Sequence, residues 1–196
     1  MSRYIYILDT ETTTTNFHDP AYAGKPNGRV VELGIVCLDL DTLQVGGIGA
    51  WQFKDPEATG LEWVYTNTDL PFRRGCWNSR EWTDNYLAGL LDGQYTTAFN
   101  WTFFDKIMLD RDLPQLSSSV VWIEDIMIAA DRIDQIPRKL HDSSSGKAWW
   151  PSVQTTYNYL YPDEPMVERH RAYDDAWQEA RILAKLIEMG IYEVPE

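Results

Sequence analysis

Residues 4–8 (YIYIL) form a compact apolar run, rich in aromatic and β-branched side chains, that predicts a buried strand ending in acid and threonine. The apolar pattern then vanishes over 12–28, which gathers Asn16, Asp19, Pro20, Gly24, Pro26, Asn27 and Gly28 and predicts a long loop. Segments 29–39 (RVVELGIVCLD) and 45–53 are the next strands, joined through Asp41 and Thr42, so three strands in succession predict an antiparallel meander. A helix signature opens at Asn78, with Glu81 three residues on in the manner of a capping box, and stops at Gly93. Within it Trp82, Tyr86, Leu87, Leu90 and Leu91 supply one apolar face. Strand 95–99, a helix near 103–113, strand 120–123 and a helix near 125–133 then alternate, which predicts a mixed sheet. The last helices are 151–161 and 171–189, the second with Ala172, Ala176, Ala180, Leu183 and Ile187 at helical spacing before Gly190.

Residues 141–152 (HDSSSGKAWWPS) are the one low-complexity patch and predict a mobile surface loop, a candidate lid. No repeat or linker divides the chain, so residues 1–196 are read as one α/β domain. Its principal order is βββαβαβαα, a mixed five-stranded sheet flanked by helices.

Composition narrows the function classes. With 17 Lys and Arg against 30 Asp and Glu the formal charge is −13, which excludes a broad cationic stripe as the means of holding nucleic acid but not nucleic acid itself. An apolar share of 44% over 196 residues suffices for a packed core and excludes disorder throughout. Cys37 and Cys76 are too few for a disulfide framework or a thiolate metal site and fit a reducing cytoplasm. No run of apolar residues is long enough for a signal peptide or a membrane span, so a soluble cytoplasmic protein with no membrane partner is expected.

The candidate chemistry lies in three places. Asp9 and Glu11 are separated by one residue at the end of the first strand, and alternate side chains of a strand share a face, so the two carboxylates converge. Neighbouring carboxylates stay ionised with difficulty unless a cation neutralises them, and oxygen ligands of this kind suit Mg²⁺ or Mn²⁺. Taken alone, such a pair is as a rule a solvated strand end. Asp105 opens the 103–113 helix, where capping or dipole compensation would also explain it. His170, Asp174 and Asp175 open the last helix, and an isolated histidine there is more often a surface residue.

Taken jointly, D-x-E at 9–11, F-D-x-x-M-L at 104–109 and H-x-A-x-x-D-A at 170–176 occur in order, and here the chain resembles the DEDDh branch of the DnaQ-like 3′-to-5′ exonucleases. The resemblance runs from Ile7 to Leu186 and implies a ribonuclease H-like fold. It maps Asp9 and Glu11 to the first motif, Asp105 to the second and His170 with Asp175 to the third; Asp174 comes one residue too early. A tyrosine branch would need Tyr at 171, which holds Arg. Two departures stand out: Asn100 precedes Asp105 by five residues where the family usually has four, and residues 13–28 replace a short turn.

The resemblance implies two divalent cations, Mg²⁺ or Mn²⁺, caged by Asp9, Glu11, Asp105 and Asp175, with neutral His170 taking the proton of the attacking water. Four carboxylates are offset by two such ions, so metal should be obligatory for an acidic protein to accept a polyanion. Thr10, Thr12, Asn100 and Phe104 are candidate substrate contacts beside these motifs. Among the aromatic residues Trp149 and Trp150 are the favoured platform for an unpaired base, with Phe17 weaker, although most such rings belong to cores. Glu32 is read as structural, Asp110 and Asp112 as a solvated helix face, and Glu124 with Asp125 as a helix cap. Gly46, Gly47 and Gly49 lack the lysine of a phosphate loop.

The expected activity is release of nucleoside 5′-monophosphates from single-stranded or frayed DNA, with RNA a possible substrate. An RNA-trimming, oligoribonuclease-like enzyme is the alternative in the same chemistry. A non-catalytic nucleic-acid or protein binding module is the alternative of another class. A polymerase or replication partner is compatible with the sequence but has no docking tail to indicate it.

Overall fold

The structure, a computed structural model, describes residues 3–13, 29–53, 78–138, 150–167 and 169–195. The expected 14–28 loop, Phe17, the 141–149 stretch and Trp149 lie outside the described residues. Strands β1 (Tyr4–Thr12), β2 (Val30–Asp39) and β3 (Val45–Gln52) form the antiparallel meander. β4 (Tyr95–Thr97) joins parallel to β1 and β5 (Val121–Trp122) parallel to β4, so the sheet order is β3-β2-β1-β4-β5 with β1 in the centre. The helices among the described residues are α1 (Arg80–Leu90), α2 (Asp105–Asp112), α3 (Pro114–Ser119), α4 (Ile126–Ala130), α5 (Val153–Leu160) and α6 (Ala172–Glu188).

Three helices follow the last strand, as the expected segments 125–133, 151–161 and 171–189 do, and α3 is the one added helix among the described residues, so the full order is βββαβααβααα. The helix α3 is six residues long and starts on Pro114, too short to show an apolar period in the sequence. The first strand does not end before its acids but carries Asp9 and Glu11 inside its ladder, opposite Gly34 and Glu32 of β2. β4 is shorter than expected because Ala98 and Phe99 turn their backbone groups to Ile126 and Glu179 instead of to a strand.

Both faces of the sheet are covered, which is why β2 reads as a nearly unbroken apolar run. Ile5, Ile7, Val36 and Leu38 pack with α4, α5 and α6 on one face, whereas Leu8, Leu33 and Ile35 pack with α1, α2 and α3 on the other. By the same alternation Asp9, Glu11, Glu32 and Gly34 extend the α6 face beyond its apolar half. The N-terminal end of α6 rests directly on Gly34: a Cβ there would stand 2.2 Å from the carbonyl carbon and oxygen of Ala172. Any side chain must lift the helix, so Gly34→Val is expected to destabilise the fold by about 3 kcal/mol, overpacking against backbone with no room to relax. Chemical denaturation of the two proteins measures the difference.

The expected apolar face of α1 is corrected. Thr83, Asp84, Leu87 and Leu91 are the buried positions, while Trp82, Tyr86 and Leu90 are exposed and the first two stack at 5.0 Å. Asp84 is buried because its carboxylate accepts the Gln115 and Leu116 N–H groups of the unforeseen helix α3, and this fixes the helix rotation. Ser79, not Asn78, caps α1 by accepting the Trp82 N–H. Among the described residues no helix is long and apolar enough to cross a membrane.

Candidate active site

Three elements from distant parts of the chain converge where the α6 face of the sheet turns polar. β1 brings Asp9 and Glu11 on one face. Its Thr10 points the other way, toward α2, and the Thr10 hydroxyl donates to Asp105 Oδ1 at 2.6 Å, so this residue holds Asp105 in place. Burial raises the Asp105 carboxyl to about 7, against the pull of the Thr10 bond, and the charge of Asp125 adds to the rise.

The third element is the start of α6, set by Glu32. This buried carboxylate accepts Arg171 Nη2 at 2.9 Å, Arg171 Nε at 3.2 Å and the Ala172 N–H at 2.9 Å, which anchors the first turn of α6 to β2. The structural reading of Glu32 therefore stands. One turn on, Asp175 Oδ2 accepts the Arg171 N–H at 3.0 Å, and the side chain is buried at 3% exposure. His170 sits just outside the helix with φ of 53°, exposed, where the chain turns into α6.

These placements bring ligand atoms of Glu11, His170 and Asp175 within 4.8 Å of one another. The two carboxylates at that spacing can hold a divalent cation, with the imidazole close enough to take a proton from water beside it. Asp174, its side chain half-buried, lines a separate cavity on the outer side of α6, so the fifth residue after His170 is the one facing the acids.

Asp9 is pushed well above the usual carboxylate range, first by burial and then by the charges of Glu179, Asp105, Glu11 and Asp175. Without cations the group is thus crowded by four other acids. Glu179 belongs to no motif and the sequence reading passed over it. Its signal was position: it lies four residues after Asp175 on the buried face of α6, where an acid needs a reason to be. It is 1% exposed, and burial with the charge of Asp105 raises its carboxyl well above the ordinary value.

A cleft of about 510 Å³ opens beside these acids, with Asp9, Thr10, Asp105 and Glu179 among its lining residues. Asn100, Phe103 and Phe104 line it as well, together with Trp150. Rings of Phe103 and Trp150 have centroids 6.4 Å apart and are 50% and 46% exposed. Phe103 was not anticipated; Trp150, Asn100 and Phe104 were. The extra residue between Asn100 and Asp105 is absorbed by a turn in which Asn100 takes φ of 72° and its carbonyl accepts the Phe103 and Phe104 N–H groups, so Asn100 still lines the cleft. Thr12 is buried beyond the register shift that follows Glu11 and does not line it.

Two neighbouring readings resolve differently. Asp110 is a solvated helix residue paired with Lys106 at 2.8 Å. Asp112, expected beside it on the same solvated face, is corrected: its side chain is buried, accepts the Val30 N–H at 2.8 Å and pairs with Arg29, Arg80 and Arg111. Asp125 caps α4 by accepting the Met127 N–H at 2.9 Å, as expected.

No family model and no curated protein matches the sequence. The fold itself is similar to that of solved nucleases. A 3′-exonuclease solved in its recognition of the 3′ end of a histone mRNA stem-loop superposes with a TM-score of 0.64 at 17% identity, covering 96% of this chain and 83% of that chain. The nuclease domain of 3′hExo, a DEDDh family member bound to rAMP, gives 0.63 at 16% identity, covering 96% and 93%. Cell-death related nuclease 4 (CRN-4) gives 0.61 at 20% identity, covering 96% and 64%, so this chain spans under two thirds of that one. The protein has the mixed five-stranded α/β fold of the DEDDh 3′-exonucleases, a ribonuclease H-like fold.

Proposed function

We propose that the protein is a metal-dependent 3′-to-5′ exonuclease that releases nucleoside 5′-monophosphates from single-stranded or frayed DNA. The observation that carries this reading is the meeting of Glu11, His170 and Asp175 within 4.8 Å, next to Asp9, which with Asp105 lines an open cleft. Asp9, Glu11, Asp105 and Asp175 are the residues that would hold two Mg²⁺ or Mn²⁺ ions. Bound there, such ions would lower the pKa of water and neutralise charge at a phosphodiester.

The chain's own residues do the rest. His170, exposed and next to Glu11 and Asp175, takes the proton of the attacking water at an imidazole nitrogen. The bond broken is that between phosphorus and the 3′ oxygen of the preceding nucleotide. The released nucleotide keeps the phosphate, and the shortened strand ends in a hydroxyl once its oxygen is protonated. Phe103 and Trp150, half exposed and facing one cleft, offer their rings to the terminal base. Stacking of this kind requires an unpaired end, which is why single strands and frayed ends are the proposed substrates. At a net charge of −13 the protein gains little from long-range attraction, so these short-range contacts must supply the affinity.

RNA is the second reading. It is favoured by the solved relatives of the fold, of which one recognises a histone mRNA stem-loop and another holds rAMP. Incubating 5′-labelled DNA and RNA oligomers with the protein and Mg²⁺ or Mn²⁺, with chelator as control, tests both. A ladder that shortens from the 3′ end only with metal supports the proposal, and the faster polymer identifies the substrate. Inertness on every oligomer would leave a binding module. His170→Ala is expected to lower turnover by about 10² to 10⁴, the range of a general base. Metal affinity should stay within a few-fold in that variant, and unchanged turnover would remove His170 from the chemistry.

A further inference from the structure

Glu179 makes a contact that links the cleft wall to the acids. Its Oε2 accepts the Phe99 N–H at 3.0 Å, at the point where the chain leaves β4. The following peptides are held by a second buried acid: Asp125 accepts the Asn100 N–H at 2.8 Å and the Thr102 N–H at 3.0 Å. Asn100 O then accepts the Phe103 and Phe104 N–H groups at 3.1 Å. The whole 99–104 turn therefore hangs from two carboxylates, one on α6 and one at the start of α4. This turn carries Phe103 and Phe104 into the cleft and delivers Asp105 as the first residue of α2.

An acid is a costly way to satisfy one buried N–H, since a neutral acceptor would avoid the burial of charge. What it provides here is stiffness along one rod. Glu179 and Asp175 are four residues apart on α6, so the helix that presents one acid to Glu11 and His170 also clamps the start of the aromatic wall. We propose that Glu179 is a positioning residue for the terminal nucleotide: it ties the Phe99–Phe104 turn to α6 and so fixes the distance between the base-stacking rings and the acids. This rests on the exonuclease reading above. Glu179 touches the backbone of the wall, and its effect is to fall on substrate binding more than on the chemical step.

The test compares Glu179→Gln, which keeps an oxygen acceptor, with Glu179→Met, which keeps the volume and removes it. KM and kcat on a labelled single strand, and nucleoside 5′-monophosphate affinity from tryptophan fluorescence, are read for both proteins and the wild type. Glu179→Met should raise KM and the nucleotide Kd by about tenfold, the loss of one buried hydrogen bond, with kcat within about threefold. Glu179→Gln should recover most of both. A Met variant with wild-type KM and nucleotide affinity would overturn the role of Glu179 while leaving the exonuclease intact. So would a fall in kcat alone shared by Gln and Met, which would place the charge in the chemistry instead. A wild-type chain inert on every oligomer would overturn the exonuclease reading, and this inference with it.

Discussion

Asp9→Asn should cut metal-dependent strand shortening by at least about 10³-fold and yet raise the melting temperature of the metal-free protein. Both effects have one cause. Asp9 lies on the central strand among Glu11, Asp105, Asp175 and Glu179, and their charges together with burial already hold its carboxyl well above the usual range. Removing the charge removes the group placed to share cations with acids from β1, α2 and α6. It also relieves the repulsion that those acids exert in the absence of cations. The asparagine side chain has nearly the same shape, so no cavity offsets the relief. A residue that only filled space would behave in the opposite way, losing stability and leaving turnover near its wild-type value. Thermal melts in chelator, paired with single-turnover assays in Mn²⁺, separate the two cases.

Stability of the metal-free protein should fall as pH rises, and a divalent cation should reverse that fall. Asp105 titrates at about 7 in the folded chain, whereas an unfolded Asp titrates near 3.9. Between those values the folded state binds the proton that the unfolded state has released, so unfolding becomes easier with each step up in pH. The penalty is absent below about pH 4, grows through the window and is complete above about pH 7. Asp9 and Glu179 are raised as well and act in the same direction. Asp105 alone accounts for about 1.4 kcal/mol between pH 6 and pH 8, which for a domain of this size is roughly 3–6 °C of melting temperature in chelator. Cations that replace the protons should restore the loss, and do so far more at pH 8 than at pH 6. A melting temperature that rises with pH in chelator, or one that ignores Mg²⁺ and Mn²⁺, would contradict the acid cluster.

Much of the sheet was legible because its signals are local. The apolar runs at 4–8 and 29–39 mark strands whatever surrounds them, and D-x-E shares a face by strand geometry alone. The spacing singled out Asp175 over Asp174, and Asp175 is the acid that lies near Glu11 and His170 while Asp174 lines a separate cavity. What escaped was decided by tertiary partners. Trp82, Tyr86 and Leu90 have helical spacing, yet Asp84 turns α1 the other way by capping α3, and no local rule announces that partner. Asp112 looks like one more helix-face acid until Arg29 and Arg80 from other parts of the chain join its neighbour Arg111 around it. Glu179 was hidden in the same manner, since only the fold shows that its turn of α6 meets the end of β4. Phe103 lacked any mark beyond being aromatic, and its place opposite Trp150 depends on a turn held by Asp125.

Cation stoichiometry is the most direct measurement of whether the acids of β1, α2 and α6 act as one centre. Titration of the full chain with Mn²⁺, followed by electron paramagnetic resonance of the free ion, counts the sites without requiring a substrate. The expected result is two bound ions per chain, a count reduced in Asp9→Ala and in Asp175→Ala and kept in His170→Ala. No saturable Mn²⁺ binding, or a count unchanged when Asp9 is removed, would show that these carboxylates do not form a metal centre.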